Sequence, residues 1–182
     1  MPGLRRTAVA AALGLAVLAA PADAFTIAPT SFTATVRGQT FRSTTGINTS
    51  CNQRFTITVT VPTIVLPVVP GTVIGYASNQ SFTLCTSVGI APEGTWDVRL
   101  DSFTLSSGSV TSISIIIAID VLAGGICRYR SDVSAGEVSE WITTGASAMQ
   151  QLTPGLFVGS GLCGTASTSP ATYGLSSAVT IR

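Results

Sequence analysis

From Phe55 to Val61 the chain alternates without a fault, an apolar residue at every odd position and a threonine at every even one. Successive side chains on an extended strand point to opposite sides, so this period of two predicts a half-buried strand with Phe55, Ile57, Val59 and Val61 on its core face. A second run, residues 111–122, puts Ile113, Ile115, Ile117, Ile119 and Val121 on one face and Ile116, Ala118 and Leu122 on the other. Apolar residues on both faces predict a central strand. Shorter signals of the same kind fall at residues 31–36, 81–85, 96–103, 128–133, 156–158 and 178–182. The best helical candidate, residues 146–152, is short and is closely followed by Pro154. Many short strands divided by Gly, Ser and Pro turns have few ways to bury their faces except in sheets packed together or closed on themselves. The expected class is all-β, an antiparallel β-sandwich of Ig-like or jelly-roll-like form.

The first residues carry an export pattern: Arg5 and Arg6, an apolar run over residues 8–20, then Ala22-Asp23-Ala24 as a small-x-small cleavage site. The run is shorter than the roughly 20 residues that a membrane-spanning helix needs. Residues 1–24 are therefore expected to be a cleaved signal peptide and residues 25–182 a single all-β domain, with no transmembrane anchor after cleavage. The expected location is secreted or extracellular, with periplasm and cell surface left open. Export also gives meaning to Cys51, Cys85, Cys127 and Cys163, because an even set behind a signal peptide implies two disulfides with three connectivities. An all-thiolate metal site is the weaker reading, since no two of the four stand at the short spacing such sites use.

Laid over itself with a shift of 76 to 78 residues, the chain matches Phe25-Thr26-Ile27 to Phe103-Thr104-Leu105, Cys51 to Cys127, Cys85 to Cys163 and Pro92 to Pro170. An internal duplication is one reading and chance matches among Ser/Thr-rich strands the other. A duplication favours the pairs Cys51–Cys85 and Cys127–Cys163, each closing a loop worth about 3–4 kcal/mol through the unfolded state.

Composition removes much chemistry. With neither His nor Lys in the chain, His-dependent nucleophile triads, Schiff-base lysines and imidazole metal sites are excluded. Of nine basic and eight acidic residues, Arg5, Arg6 and Asp23 leave with the signal, so the mature chain is charge-balanced. It carries no basic footprint for nucleic acid. The acid pairs Glu137 with Glu140 and Asp97 with Asp101 are poor glycosidase candidates, the second because alternation with Trp96, Val98 and Leu100 puts it on a solvated face. No catalytic residue, metal site or cofactor is expected. Trp96, Trp141, Tyr129 and Tyr173 are scattered, and packing is their expected role before a carbohydrate platform.

Residues 62–74 are almost wholly apolar yet interrupted by Pro62, Pro67 and Pro70. Proline cannot donate to a ladder, so the segment is either an edge strand or covered loop with Ile64, Leu66 and Val68 packed underneath, or an exposed apolar hairpin. In the second case Ile64, Val65, Leu66, Val68 and Val69 form a candidate contact patch.

Phe25-Thr26-Ile27 after the cleavage site, the approach from Phe41 to Cys51 into Phe55-Thr56-Ile57-Thr58-Val59, Pro92-Glu93-Gly94-Thr95-Trp96, Cys127, Cys163 and the β-like terminus at residues 178–181 together resemble the bacterial secreted activator-of-alkane-oxidation family, four-cysteine Ser/Thr/Gly-rich β-proteins. The resemblance spans essentially the whole mature chain. It implies promotion of hydrocarbon uptake or emulsification outside the cell rather than catalysis, and carries no functional residues. The expected function is a secreted, non-enzymatic surface, matrix or interfacial protein aiding contact with hydrophobic substrates. Its partners would be a hydrophobic surface, a lipid or a cell-envelope component. An extracellular carbohydrate- or lipid-binding module is the alternative.

Overall fold

The computed structural model describes residues 24–131, 139–152 and 154–182; the expected signal peptide lies outside the described residues except for Ala24. The strands are β1 (Ala24–Ala28), β2 (Ser31–Ser43), β3 (Asn48–Val59), β4 (Thr63–Val65), β5 (Thr72–Thr83), β6 (Ile90–Pro92), β7 (Trp96–Ser106) and β8 (Ser109–Ile117). They continue as β9 (Asp120–Ala123), β10 (Cys127–Ser131), β11 (Ser139–Thr143), β12 (Ala146–Gln151), β13 (Leu156–Gly159), β14 (Thr165–Thr168) and β15 (Ala171–Ile181). A single 3₁₀ turn, Gly161–Cys163, is the one helical piece among the described residues.

The alternation at residues 55–61 lies where it was expected: Phe55, Ile57 and Val59 in β3 are at most 5% exposed, while Val61, beyond the strand end, is 45% exposed. The run at 111–122 divides into β8 and β9 at Ala118-Ile119, yet Ile113, Ile115, Ile117, Ile119 and Val121 all stay buried. The short helical candidate at 146–152 is a strand, β12, over Ala146–Gln151. β12 is a strand because its backbone is paired on both sides, by β11 and β15, and Met149 and Gln151 point inward on alternate positions.

The fold is all-β and antiparallel, but the expected two-sheet sandwich is corrected to a closed barrel of eight strands, in the order β2-β3-β5-β7-β8-β11-β12-β15. The ring shuts where Gly174 and Leu175 of β15 pair with Thr35 and Ala34 of β2. Closure leaves this ring without an edge. Eight strands enclose a space that side chains can fill: the Phe55 ring packs edge-on to Trp96 at 6.0 Å and to Tyr173 at 5.5 Å, all three at most 1% exposed. Apolar side chains face in and hydroxyls largely face out, the inverse of barrels that span membranes.

Beyond the ring, the far half of β2 carries a second array, β14-β13-β10-β9-β6, and β6 returns beside β5. Here Phe41 packs against Tyr129 and Phe157 at 5.3 and 5.7 Å. At the other end, β1 and β4 extend the ladder from β15. The strand order repeats. Moving four places round the ring replaces β2, β3, β5 and β7 by β8, β11, β12 and β15, and in the second array β9, β10 and β13 pair in turn as β2, β3 and β5 do, with β14 after β13 and β6 lying beside β5. The bridges obey the same order: Cys51–Cys85 ties β3 to the segment after β5, and Cys127–Cys163 ties β10 to the segment after β13.

Tight coiling explains why the sheet closes instead of stacking. Ladder shifts interrupt β2/β3, β3/β5, β5/β7 and β7/β8, and such bulges bend a strand and raise its twist. Gly75 sits at one of them. A Cβ there would collide with the Thr58 carbonyl oxygen and stand 2.9 Å from Val59 Cα, both backbone atoms that cannot swing away. Gly75→Ala is expected to destabilise the barrel by about 1–3 kcal/mol, whereas Gly89→Ala, which meets nothing within 4 Å, should change stability by less than about 0.5 kcal/mol. Urea unfolding followed by tryptophan fluorescence compares the two; equal midpoints would show that the β3–β5 approach does not set closure.

Candidate functional site

Three places concentrate chemistry that is not simply core. The first is the proline-interrupted segment. Within it β4 pairs with β1, Phe25 lying opposite Ile64. Ile64 is 4% exposed, and Leu66 and Val68 are half-buried against the core. Val65 and Val69 turn outward, 55% and 73% exposed. The five patch residues are therefore divided between anchoring and display. Two further valines, Val61 and Val73, are also exposed, so the loop shows four valines at a spacing of four residues. No charged side chain interrupts the chain from Phe55 to Pro92.

The second place is where the barrel meets the second array. Gln39, Gln53, Gln151 and Tyr173 are buried here. Gln39 Nε2 donates to Gln151 Oε1 at 2.7 Å and to the Ser169 carbonyl at 3.2 Å. The Tyr173 hydroxyl lies 2.9 Å from Gln39 Oε1 and 3.1 Å from Gln53 Oε1 and shares its one proton between them. Gln151 Nε2 donates to Thr168 Oγ1 at 3.0 Å. These groups, with Phe41, Phe82 and Phe157, line a cavity of about 20 Å³, room for one water molecule.

Directly across the ladder from Gln151 stands Glu140, 1% exposed, whose Oε2 has no hydrogen-bond partner among the described residues. Burial drives its carboxyl well above the usual carboxylate range. Burial, helped by the neighbouring Glu140 charge and opposed by the Gln39 hydrogen bond, also raises the Tyr173 phenol. Glu140 is thus a buried acid whose surroundings favour its neutral form.

The third place is a surface knot of charge. Arg128 Nε donates to Glu93, Arg130 Nε donates to Asp120 Oδ2 at 2.8 Å, and Arg128 also reaches Asp120 at 3.8 Å. The hydrogen bond from Arg128 is the main cause holding Glu93 below its ordinary range, and it raises Arg128 in turn. The adjoining groove, about 400 Å³, is open. Two acids and two arginines balance in charge, although Asp120 Oδ1 is buried with no hydrogen-bond partner among the described residues and only the 3.8 Å approach of Arg128 beside it.

The remaining sequence candidates are dispersed. Asp97 pairs with Arg99 at 3.4 Å, and Asp101 accepts from Ser102 and Ser114. Glu137 lies outside the described residues. Trp96, Tyr129 and Tyr173 are at most 1% exposed, so none forms a platform, and Trp96 Nε1 donates to the Asp120 carbonyl at 3.1 Å. Trp141 is half-buried. The buried glutamines are not among the sequence candidates, and Glu140 is there only as the partner of Glu137 in an acid pair; parity offered the signal for its burial, since Glu140 shares its face with Ile142, and Gln151 shares its face with Met149. No protein-family model, curated protein or solved structure matches the chain.

Glu140 makes stability depend on pH with a defined sign. Its folded pKa is raised from 4.5, so above that pH the folded protein retains a proton that the unfolded chain has released, and stability falls as pH rises. Glu140→Gln removes this dependence. The variant is expected to gain on the order of 1–3 kcal/mol relative to wild type on passing from pH 4.5 to pH 8. Urea midpoints at the two pH values check it; parallel profiles for both proteins would mean that Glu140 is charged inside the fold.

Proposed function

We propose that the chain is an exported, non-enzymatic interfacial protein that promotes contact with hydrophobic surfaces outside the cell. The observation that carries this reading is the valine loop. Val61, Val65, Val69 and Val73 are 45%, 55%, 73% and 47% exposed, in a segment without charge and pinned from below by Ile64, Leu66 and Val68. Single exposed valines are ordinary; four in one anchored loop are the kind of apolar display that marks a contact surface. Two bridges suit an oxidising compartment outside the cytoplasm. The resemblance to the secreted activators of alkane oxidation supports the same direction, and the repeated strand order supports an origin by duplication.

The barrel's own chemistry agrees with a role in contact rather than turnover. The cavity between its two cores has room for one water, Glu140 is buried, and Arg128 and Arg130 pair with Glu93 and Asp120. The test is the interfacial tension of a hexadecane–water pendant drop. Wild type is expected to lower the tension, and Val65→Asp/Val69→Asp to lower it more slowly and less, because both side chains lie outside the core and the double variant keeps its fold. Identical curves for the two proteins, with identical circular dichroism, would remove the loop from the function.

A further inference from the structure

The end of the molecule opposite the valine loop is built from four loops around the two disulfides. Thr45 Oγ1 lies 3.3 Å from both the Tyr129 hydroxyl and the Cys163 carbonyl. Thr86 N donates to the Ser50 carbonyl at 3.0 Å, Ser87 Oγ to the Asn48 carbonyl at 2.7 Å, and Gly124 N to the Gly89 carbonyl at 2.9 Å. The turn between β2 and β3 therefore stands between the two bridges, with the loops at 84–89, 124–126 and 160–164 tied beside it.

Three of these loops display one large aliphatic side chain almost free of the protein: Leu84 is 81% exposed, Ile126 84% and Leu162 97%. Each stands immediately before a bridged cysteine. Leu84 and Leu162 precede the second cysteine of the first and the second bridge, equivalent places in the repeated strand order. The backbone is arranged for display. Leu84 itself has φ of 52°, a left-handed conformation that a leucine adopts only under constraint, and Leu162 and Ile126 follow the left-handed glycines Gly161 and Gly125. No acidic or basic residue occurs in the four loops.

We infer that this end is a second contact surface, that its occupant is a neutral lipid layer, and that one molecule bridges two apolar phases. Lack of charge gives an anionic or cationic partner nothing to recognise. Three separate tips would bury roughly a few hundred Å² against a protein, well below the ~800 Å² per partner of a stable protein interface. A fluid layer needs no matching shape, so isolated aliphatic tips suffice to enter it. The inference rests on the proposed interfacial role and adds a second site at the far end of β2 and β3, ~40 Å away by their length.

The experiment uses the mature, disulfide-bonded protein and phosphatidylcholine vesicles, read by flotation for binding and by turbidity for clustering. Wild type is expected to float with the vesicles and to cluster them. Leu84→Ser/Ile126→Ser/Leu162→Ser should still bind through the valine loop, and Val65→Ser/Val69→Ser through the disulfide end, yet neither should cluster, because bridging needs both ends. In the Val65→Ser/Val69→Ser background, each of the three tips removed should weaken binding by up to about tenfold, without dependence on salt. Clustering by the triple Ser variant at the wild-type level would overturn the second site and leave the interfacial reading standing. Failure of every protein to bind vesicles or to lower oil–water tension would overturn both. Binding that requires anionic lipid and vanishes in salt would overturn the neutral occupant, and a dimer in solution that the triple variant converts to monomer would place a second copy there instead.

Discussion

β2 and β3 pair from Ser31 opposite Thr58 to Arg42 opposite Asn48, across one interruption between Val36 and Gln39. Both strands are longer than either compartment needs. One end of β2 closes the ring against β15 and the other carries β14, so a single hairpin belongs to both arrays. A closure and a branch on one pair of strands require strong local twist, which the bulges and the backbone contact at Gly75 provide. Without that close approach β5 could not follow β3 round the bend, and β7, whose Trp96 fills the barrel, would lose its place.

Sharing strands also accounts for the polar groups in the middle. The barrel core is built on Phe55, Trp96 and Tyr173, the second core on Phe41, Tyr129 and Phe157. Between them lie Gln39, Gln53, Gln151 and Glu140. Side-chain amides both donate and accept, so a few of them can satisfy one another and a phenol hydroxyl without water. Glu140 does not fit that scheme when ionised, and burial accordingly raises its carboxyl well above the usual range. The strand order repeats through this region but the chemistry does not, since the buried amides come from β2, β3 and β12, with no matching set from β8 or β5.

The elements closest to the sequence were read most directly. Alternation at 55–61 and 113–121 reported parity, and parity decides which side chains are buried whether a sheet stacks or closes. Cysteine spacing under the repeat favoured the pairs that occur. What sequence could not report was the partner of β2's outer edge: Thr35 and Gly174 are far apart in the chain, and nothing local distinguishes a strand that meets its ring from one that ends a sandwich. The same limit applies to β12, a run too short to stand as a helix and with no clear strand alternation, which two neighbours fix extended. Leu84, Ile126 and Leu162 escaped notice because an aliphatic residue beside a cysteine reads as core. Their exposure comes from left-handed backbone at the loop tips, which sequence indicates only through Gly125 and Gly161.

A filled barrel restricts where contact with other molecules can occur. The cavity between the two cores has room for one water, and Phe55, Trp96 and Tyr173 fill the barrel beside it, in contrast to eight-stranded barrels that hold a ligand. The walls carry many outward threonines and serines, and in the arginine–carboxylate knot two arginines offset two acids. Tyr76, Leu105, Leu152, Leu156 and Val158 are exposed elsewhere, but at the two ends apolar side chains are held outward in groups and by different means: at one by a short edge strand and half-buried anchors, at the other by disulfides at the loop bases. Both devices fix the backbone beneath an exposed aliphatic group, so the group cannot fold back onto the protein to escape water. Relief from that exposure has to come from outside the chain.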